Sequence, residues 1–341
     1  MSDKYSILKY LPIWSVESKI CIGIPGTDQY IEITNTNQNR KLLDDLISNG
    51  ISLSEINGNH FYNELFKKQI LLKTEEQKKR KDFFFDYLNI KFPSELLSYR
   101  ILIFGAGAGG ATIGYLLAQF GFKNISICDN DVVNSSDVEK TTIFDSTDIG
   151  KYKVIALSER VRKNFGISIQ TYTEKVFSEA DIRRFCDITI PQFIIKACDP
   201  NLSFRTSLNN YCFNNGIPFI HMSYAFEIIN LGPLFIPGKT CCDLSLNQLA
   251  IKRFGEEQSF EKQKKLYTDY TTHPSISFNI NILANLILKE ILFFLTDRYE
   301  MCNTINKIVY YNASIMKGYT YHLQCNKSCL FNLNNITYEK N

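Results

Sequence analysis

The sequence has no long uninterrupted apolar run, no export signal and no large excess of charge. Its longest apolar stretch, Ile276 to Leu295, is broken by three asparagines, Lys289 and Glu290, which is typical of a buried helix and not of a membrane span. The opening residues lack the basic-then-apolar pattern of a signal peptide. The net charge of +3 is too small to indicate nucleic acid or an acidic membrane as a partner. These absences predict a cytoplasmic protein.

The sequence also lacks internal repeats, low-complexity tracts and the cysteine spacing of a disulfide framework. It contains 10 cysteines in 341 residues, and most stand singly inside predicted strands or helices. That distribution is typical of reduced cysteines that pack as small apolar side chains in a cytosolic protein. The length is sufficient for one large domain or two smaller ones.

A glycine-rich loop between two apolar strands is the most informative stretch that is present. Gly105, Gly107 and Gly110 match the G-x-G-x-x-G spacing, and Gly109 lies in the same loop. This spacing allows a tight turn and a close approach of the backbone to a phosphate, and the helix that follows directs free N–H groups at an anion. The second strand ends at Asp129, about twenty residues past the last glycine, where a carboxylate can bind ribose hydroxyls. The stretch predicts a nucleotide site but does not identify the nucleotide.

Later apolar segments predict that the same sheet continues along the chain. A helix is predicted from Lys153, and strands are predicted over 167–172, 193–198, 218–221 and 231–238, with an antiparallel pair over 306–325. The fold predicted for residues 99–341 is therefore α/β, a Rossmann-like domain with a largely parallel sheet. One strand ends at Asp199, followed by Pro200. This pair is typical of a helix start, although ligands also bind at the carboxyl ends of parallel strands.

The first 75 residues form a separate predicted unit. A β-hairpin is predicted over 20–33, and helical spacing follows over 41–48 and again from Ser54 to Ile70. This order predicts a winged-helix-like (α+β) unit, which could bind a peptide as an added strand, bind DNA or pack against the main domain. Residues 76–98, which include a charged run and three consecutive phenylalanines, are predicted to be a linker.

Several of these segments occur together in an order and spacing that resembles a known family. They are the glycine loop, the Asp129–Asp131 segment, the segment that ends at Lys153, Asp199, and residues 232–242. Over residues 100–330 they resemble the ubiquitin-activating-enzyme-like, ATP-dependent family of ThiF, MoeB and MccB. Residues 232–242 and the predicted unit of the first 75 residues are most similar to the MccB branch, which modifies a ribosomally made peptide. The PaaA type is a second close candidate. The resemblance implies ATP, and not NAD, in the glycine loop.

The resemblance also implies a role for each matching residue. The glycine loop and Asp129 would hold ATP, Asp129 through the ribose, with Asp131 beside it. Lys153 matches the family's phosphate-binding lysine, and Asp199 matches the aspartate that organises Mg²⁺ and the triphosphate. The family also supplies an arginine from the partner subunit of a homodimer, and Arg80 is the candidate here. These roles suit the activation of a carboxylate, because negative charge accumulates on a pentavalent phosphorus.

Two departures from the family pattern bear on these roles. The family usually carries Asn-x-x-Arg-Gln after the ribose aspartate, where this sequence has Asp137, Lys140 and Thr141. Lys140 keeps a charge at the catalytic position but loses the two-pronged geometry of arginine. Asp137 adds a negative charge near a triphosphate, which is unfavourable unless a cation lies between them. Nucleotide binding therefore survives this comparison better than the usual adenylation geometry does.

The second departure concerns the structural zinc that many relatives bind through two Cys-x-x-Cys pairs. The first pair here retains Cys242 but has Ser245, and the second is stretched to Cys325 and Cys329. Three thiolates do not complete a tetrahedral structural site. Cys241 or Asp243 could substitute, but the departure favours loss of the metal.

The leading hypothesis is an ATP-dependent adenylyltransferase-like enzyme that tailors a ribosomal precursor peptide in antibiotic biosynthesis. A carboxylate or amide oxygen of the peptide would attack the α-phosphate of ATP, and a second group of the same peptide would then form a bond or close a ring. No cysteine stands out as a covalent nucleophile. The alternatives are adenylation of a ubiquitin-like sulfur carrier and a peptide-binding scaffold that has lost catalysis. An NAD dehydrogenase is a weaker fourth hypothesis.

Overall fold

The computed structural model describes residues 3–8, 10–73, 80–176, 178–198, 202–255 and 276–325. The chain divides into two compact units, Met1–Phe92 and Pro93–Asn341. Part of the segment predicted as a linker, 76–98, is therefore helical and belongs to the first unit, because Arg80–Tyr87 forms an α-helix. In that helix Phe85 is buried and its ring stacks on another phenylalanine. Burial of large apolar rings favours a packed helix over a solvated linker.

The first unit contains two small antiparallel sheets and four helices within its described residues. Its strands are β1 Lys4–Ile7, β2 Ile13–Val16, β3 Lys19–Ile22, β4 Ile31–Thr34, β5 Ile51–Ser52 and β6 Leu71–Lys73. Its helices are α1 Asn37–Asn49, α2 Leu53–Gly58, α3 His60–Lys67 and α4 Arg80–Tyr87. One sheet has the order β5-β1-β6 and the other has the order β2-β3-β4. The apolar faces of helices α1 to α3 and of the strands other than β2 share one core.

The predicted hairpin and helices of the first unit are present, with one difference in the second helix. Strands β3 and β4 pair with Ile22 opposite Ile31, as the alternation predicted. The single helix predicted from Ser54 to Ile70 is two helices, because Asn59 interrupts it. The side chain of Asn59 accepts a hydrogen bond of 2.9 Å from the N–H of Phe61 and so caps α3. The winged-helix assignment itself stays a prediction.

The described residues of the second unit form an eight-stranded sheet. Its strands are β7 Arg100–Phe104, β8 Asn124–Cys128, β9 Gln170–Tyr172, β10 Phe193–Lys196, β11 Phe219–Ala225, β12 Ile228–Phe235, β13 Lys307–Asn312 and β14 Lys317–His322. Its α-helices are α5 Ala108–Phe120, α6 Ser135–Lys140, α7 Lys153–Phe165, α8 Glu179–Thr189, α9 Leu202–Asn214, α10 Asp243–Phe254 and α11 Ser277–Leu295. The strand order is β14-β13-β12-β11-β10-β7-β8-β9.

The sheet of the second unit is parallel from β11 to β9 and antiparallel from β11 to β14. The parallel part has short apolar strands buried on both faces: residues 101–104 and 193–195 are at most 1% exposed. Helices cover both faces of such strands, so the strands need no polar side. The predicted Rossmann-like sheet is thus confirmed. Its carboxyl edge is where α/β proteins bind ligands.

Helix α11 accounts for the longest apolar run in the sequence. By length and composition it could cross a membrane, yet 61% of its most apolar window is buried inside the protein. It packs on α5 and on strands β11 and β12. Glu290, which interrupts the apolar run, is 0% exposed and accepts hydrogen bonds from the backbone N–H groups of Asn303 and Thr304. The helix therefore behaves as the buried core helix that its interruptions predicted.

Candidate nucleotide site

The glycine loop joins β7 to α5 at the carboxyl edge of the sheet, and two of its glycines cannot carry a side chain there. Gly105 has φ +103°, and an added Cβ would lie 2.8 Å from the carbonyl oxygen of Ala197. A Cβ on Gly110 would lie 1.9 Å from the carbonyl oxygen of Gly105. Among the described residues, no atom lies within 4 Å of the ideal Cβ position of Gly107, the N-cap of α5. The first and last glycines are thus needed for packing, whereas Gly107 leaves open space in front of the helix N-terminus.

Asp129 connects the end of β8 to the glycine loop. Its Oδ2 accepts a hydrogen bond of 2.6 Å from the N–H of Ala106, and its Oδ1 accepts one of 2.7 Å from the N–H of Asp131. The carboxylate is half-buried, and each oxygen retains a lone pair for another donor. Asp129 therefore holds the loop and the chain beyond β8 in register, and it can still accept a hydrogen bond from a ligand hydroxyl.

A pocket of about 200 Å³ lies in front of these groups. Gly105, Asp129 and Asp131, which are predicted to bind the nucleotide, line it together with Glu174 and Cys198. The last two were missed by the sequence analysis. Glu174 follows β9 and Cys198 follows β10, so the rule that ligands bind beyond the carboxyl ends of parallel strands would have found both.

Cys128 also lines the pocket, as a structural thiol. Burial raises the pKa of Cys128 to about 12, so the thiol stays protonated. Its Sγ donates to the carbonyl oxygen of Glu174 at 3.2 Å. This bond connects the end of β8 to the chain that follows β9, and it fits the prediction that the cysteines of this chain pack as small apolar residues.

Lys153 brings a cation to the same edge of the sheet. It opens α7, and its backbone N–H donates to the carbonyl oxygen of Asp131 at 2.9 Å. Its Nζ lies 3.4 Å from Asp131 Oδ2 and 3.4 Å from Asp137 Oδ1. Lys153 and Asp137 are buried, whereas the Asp131 side chain is 63% exposed. The cation that Asp137 was predicted to need is therefore Lys153.

The three residues that depart from the family pattern, Asp137, Lys140 and Thr141, lie in α6 or directly after it. Asp137 is the capping-box residue of α6, because its Oδ2 accepts a hydrogen bond of 3.0 Å from the N–H of Asn134. Lys140 ends the helix, half-buried, with its Nζ 3.2 Å from the hydroxyl of Ser136. Thr141 is buried, and its hydroxyl lies 3.2 Å from that of Thr112 on α5. The segment is thus tied to the helix that follows the glycine loop.

A buried polar cluster that the sequence patterns did not predict lies at the carboxyl end of β10 and beside it on β11. Lys196 and His221 are opposite each other on these strands. Arg205 forms two hydrogen bonds to the carboxylate of Asp243, and His221 Nδ1 lies 3.7 Å from the same carboxylate. Burial lowers the pKa of His221 well below its ordinary range, and the charges of Lys196 and Arg205 lower it further. A charged residue at the end of an apolar strand was the available signal, since Lys196 ends β10.

The comparison with protein families agrees with this geometry. The profile of the ThiF family matches residues 85–330. The chain belongs to the ThiF family.

Curated relatives of this ThiF-family chain match it over part of their length. The SAMP-activating enzyme E1 of Haloferax volcanii is 29% identical over 133 residues, which is 39% of this chain and 48% of that protein. The sulfur carrier protein ThiS adenylyltransferase of Bacillus subtilis is 28% identical over 153 residues, 43% of this chain and 44% of that protein. The chain thus spans about half the length of the curated relatives it matches.

Solved structures are similar to this ThiF-family chain over nearly its full length. Escherichia coli MccB, crystallised with ATP, superposes with a TM-score of 0.73 at 18% identity, over 96% of this chain and 99% of that one. PaaA superposes with a TM-score of 0.65 at 16% identity, over 92% and 98%. At these identities the likeness is one of fold. It extends to the first unit, Met1–Phe92, of which the family profile covers only residues 85–92.

Some predicted site residues of this ThiF-family chain lie outside the described residues. These are Asp199, the predicted magnesium ligand, and Cys329, a predicted remnant of the zinc site. The helix that starts at Arg80 is described, but the side chain of Arg80 is not. Cys242 is buried in an apolar cluster and Cys325 is exposed. Within the described residues no three His, Cys, Asp or Glu side chains converge to hold a metal ion, so the roles of Asp199, Arg80 and the cysteines stay predictions.

Proposed function

We propose that this ThiF-family chain is an ATP-dependent adenylating enzyme that modifies a ribosomally made precursor peptide. The observation that carries the proposal is that Gly105, Asp129 and Asp131 line one pocket at the carboxyl edge of the parallel sheet, and that the ammonium of Lys153 lies 3.4 Å from the carboxylate of Asp131. The full-length likeness to MccB supports the peptide as substrate, because MccB has been crystallised both with ATP and with its peptide MccA.

The proposed reaction has two steps. A carboxylate or amide oxygen of the peptide attacks the α-phosphorus of ATP, the new P–O bond forms, and the bond to pyrophosphate breaks. A nucleophile of the same peptide then displaces AMP. The N–H groups at the start of α5 and the ammonium of Lys153 offset the charge that develops on the phosphate oxygens. Asp129 accepts a hydrogen bond from the ribose, and Lys140 adds a second cation near the phosphates.

Magnesium would be held by Asp199 in this proposal. Bound there, it would offset the charge of the triphosphate. Arg80 of a partner subunit would supply a further cation, so the proposed enzyme is a homodimer. Its proposed location is the cytoplasm. Mixing Arg80→Ala protein with Asp199→Ala protein tests this arrangement, because a site shared between subunits regains activity in the mixed dimer. Activity that stays absent in the mixture would contradict the shared site.

The first unit is proposed to hold the peptide. It contains a cleft of about 830 Å³ lined mainly by polar side chains from the β3–β4 loop, the end of α3 and the end of α4. Charged groups of both signs, among them Glu64, Lys67 and Asp86, line this cleft. A cleft of this kind suits the polar backbone and mixed side chains of a short peptide better than it suits DNA, which requires an excess of positive charge.

A second candidate function is adenylation of a ubiquitin-like sulfur carrier. The matches to the ThiS adenylyltransferase and to the SAMP-activating enzyme favour it. Purified protein is incubated with Mg-ATP and one acceptor at a time. The acceptor is either ThiS or a synthetic peptide encoded by one of the shortest reading frames beside the gene. Pyrophosphate release with a peptide supports the proposal, and release with ThiS alone supports the second candidate.

Two lysine variants provide the control for that assay. Lys153→Ala is expected to abolish pyrophosphate release. Lys151→Ala is the matched control, because the side chain of Lys151 is 40% exposed and pairs with Asp148 and Glu159. Equal activity in both variants would contradict the role of Lys153. Absence of pyrophosphate release with any acceptor, in protein that is folded, would support a scaffold that has lost catalysis.

A further inference from the structure

Two carboxylates share the ammonium of Lys153, and they differ in how firmly they are held. Nζ lies 3.4 Å from an oxygen of each, yet the side chain of Asp137 is 8% exposed and that of Asp131 is 63% exposed. Lys153 itself is 9% exposed. One partner of the ammonium is therefore buried with it, and the other reaches it from solvent.

Asp137 cannot leave the ammonium without a large penalty. Its other oxygen accepts the hydrogen bond from the N–H of Asn134 that caps α6, so the carboxylate is fixed in place. Moving Lys153 away would leave a buried carboxylate without its counter-charge, which is strongly unfavourable. Asp137 therefore determines where the ammonium lies.

The carboxylate of Asp131 can move away from the ammonium of Lys153 at little cost in free energy. The Asp131 side chain can rotate into water, where the carboxylate is solvated, and an exposed ion pair contributes little to stability. The backbone would stay in place, because the N–H of Asp131 donates to Asp129 and its carbonyl oxygen accepts from the N–H of Lys153. The Asp131 side chain also lines the small pocket, so its charge lies where a phosphate chain would approach Lys153.

We propose that Asp131 acts as a built-in anion that occupies Lys153 in the nucleotide-free protein and yields it to a phosphate of ATP, while Asp137 keeps the ammonium in position. This inference rests on the proposed function, since it assumes that the nucleotide is a triphosphate. ATP must then displace Asp131 in order to bind, and this competition weakens its affinity. A nucleoside without phosphates does not compete with Asp131 at all.

Calorimetric titration of the full chain with Mg-ATP and with adenosine tests the proposal. Asp131→Asn is expected to tighten Mg-ATP binding by about two- to fivefold, the ratio that the loss of an exposed ion pair implies. The dissociation constant for adenosine is expected to stay unchanged in this variant. Asp137→Asn is expected to weaken Mg-ATP binding, because the ammonium loses its fixed partner.

Glu139→Gln is the matched control, because it removes one exposed negative charge from the same helix as Asp137 and is expected to leave both affinities unchanged. Weaker or unaltered Mg-ATP binding in Asp131→Asn would overturn the inference and would make Asp131 a ligand of the nucleotide or a bystander. Should Asp137→Asn fail to fold, the ATP-to-adenosine comparison in Asp131→Asn decides the matter alone. Wild-type protein that binds no Mg-ATP would instead overturn the proposed function.

Discussion

Arg205 and Asp243 form a two-pronged ion pair between positions 38 residues apart in the sequence. The Nε of Arg205 donates to Oδ2 of Asp243, and Nη2 donates to Oδ1 at 2.6 Å. The backbone N–H of Asp243 donates in turn to the side-chain oxygen of Asn209 at 2.9 Å. Helix α9 is thus tied at two points to the start of α10.

The first prediction concerns this pair. Asp243→Asn is expected to lower the free energy of unfolding by about 3 kcal/mol, because it removes a buried carboxylate that accepts two hydrogen bonds from the largely buried guanidinium of Arg205. Denaturant titration followed by circular dichroism measures the change. Glu32→Gln serves as the control, since the Lys19–Glu32 pair is well exposed and such pairs contribute little. Equal effects of the two substitutions would contradict the structural role of Arg205–Asp243.

The second prediction concerns the pH dependence of stability. The pKa of His221 in the folded protein is well below its ordinary range, so the unfolded chain takes up a proton near pH 6.5 while the folded chain does not. Stability contributed by the neutral imidazole is complete above about pH 6.5 and is lost as the pH falls, by about 1.4 kcal/mol per pH unit at most. The charged side chains that act on the imidazole of His221 are Lys196, Arg205 and Asp243.

Unfolding of wild type and of His221→Gln at pH 7.5 and pH 5.5 checks this prediction. The loss of stability between the two pH values is expected to be smaller in the variant, because glutamine does not titrate. An identical loss in both proteins would mean that His221 takes up its proton in the folded state too, and the acid sensitivity would then belong to other groups.

The third prediction separates the two tasks of the glycine loop. Gly110→Ala is expected to destabilise the fold severely, because its Cβ would overlap the carbonyl oxygen of Gly105. Gly107→Ala is expected to leave the melting temperature unchanged, because no atom in the part of the chain that the structure describes lies within 4 Å of its Cβ position. It is expected to weaken Mg-ATP binding by filling the space before the helix N-terminus. Thermal melts and calorimetry test both variants. Unchanged ATP affinity in Gly107→Ala would argue against the loop as the phosphate site.

The fourth prediction concerns Glu290, a fully buried charge far from the pocket in sequence. Its two oxygens accept the N–H groups of Asn303 and Thr304 and the hydroxyl of Thr304, and Lys289 pairs with it. Glu290→Gln is expected to cost about 2 kcal/mol of stability, because one acceptor becomes a donor that faces other donors. Chemical denaturation measures the loss, with the exposed Glu300→Gln as control. A variant as stable as wild type would show that these contacts contribute nothing net.

Local pattern was sufficient for much of the second unit. The strand, glycine loop, helix and strand between Arg100 and Asp129 form as predicted, because each segment carries its own signal: an apolar run, a loop of glycines, and Gly121 as a left-handed C-cap. The same holds for the antiparallel pair β13 and β14. The break at Asn59 is not predicted by the local pattern, because the apolar spacing continues through it. The helix is divided by the hydrogen bond that the Asn59 side chain accepts from the N–H of Phe61.

What the sequence determined by itself is the set of local elements and the family to which they point, since periodicity, glycine positions and motif spacing act over a few residues. Only the tertiary structure decided which charges meet. Lys153 and Asp131 are separated by 22 positions, and Arg205 and Asp243 by 38. Whether Asp137 repels a ligand or holds a lysine depends on where the fold brings it relative to Lys153, which lies 16 positions further along the chain. The reason is physical: the energy of a charge depends on its burial and on its partners, and both are properties of the folded chain.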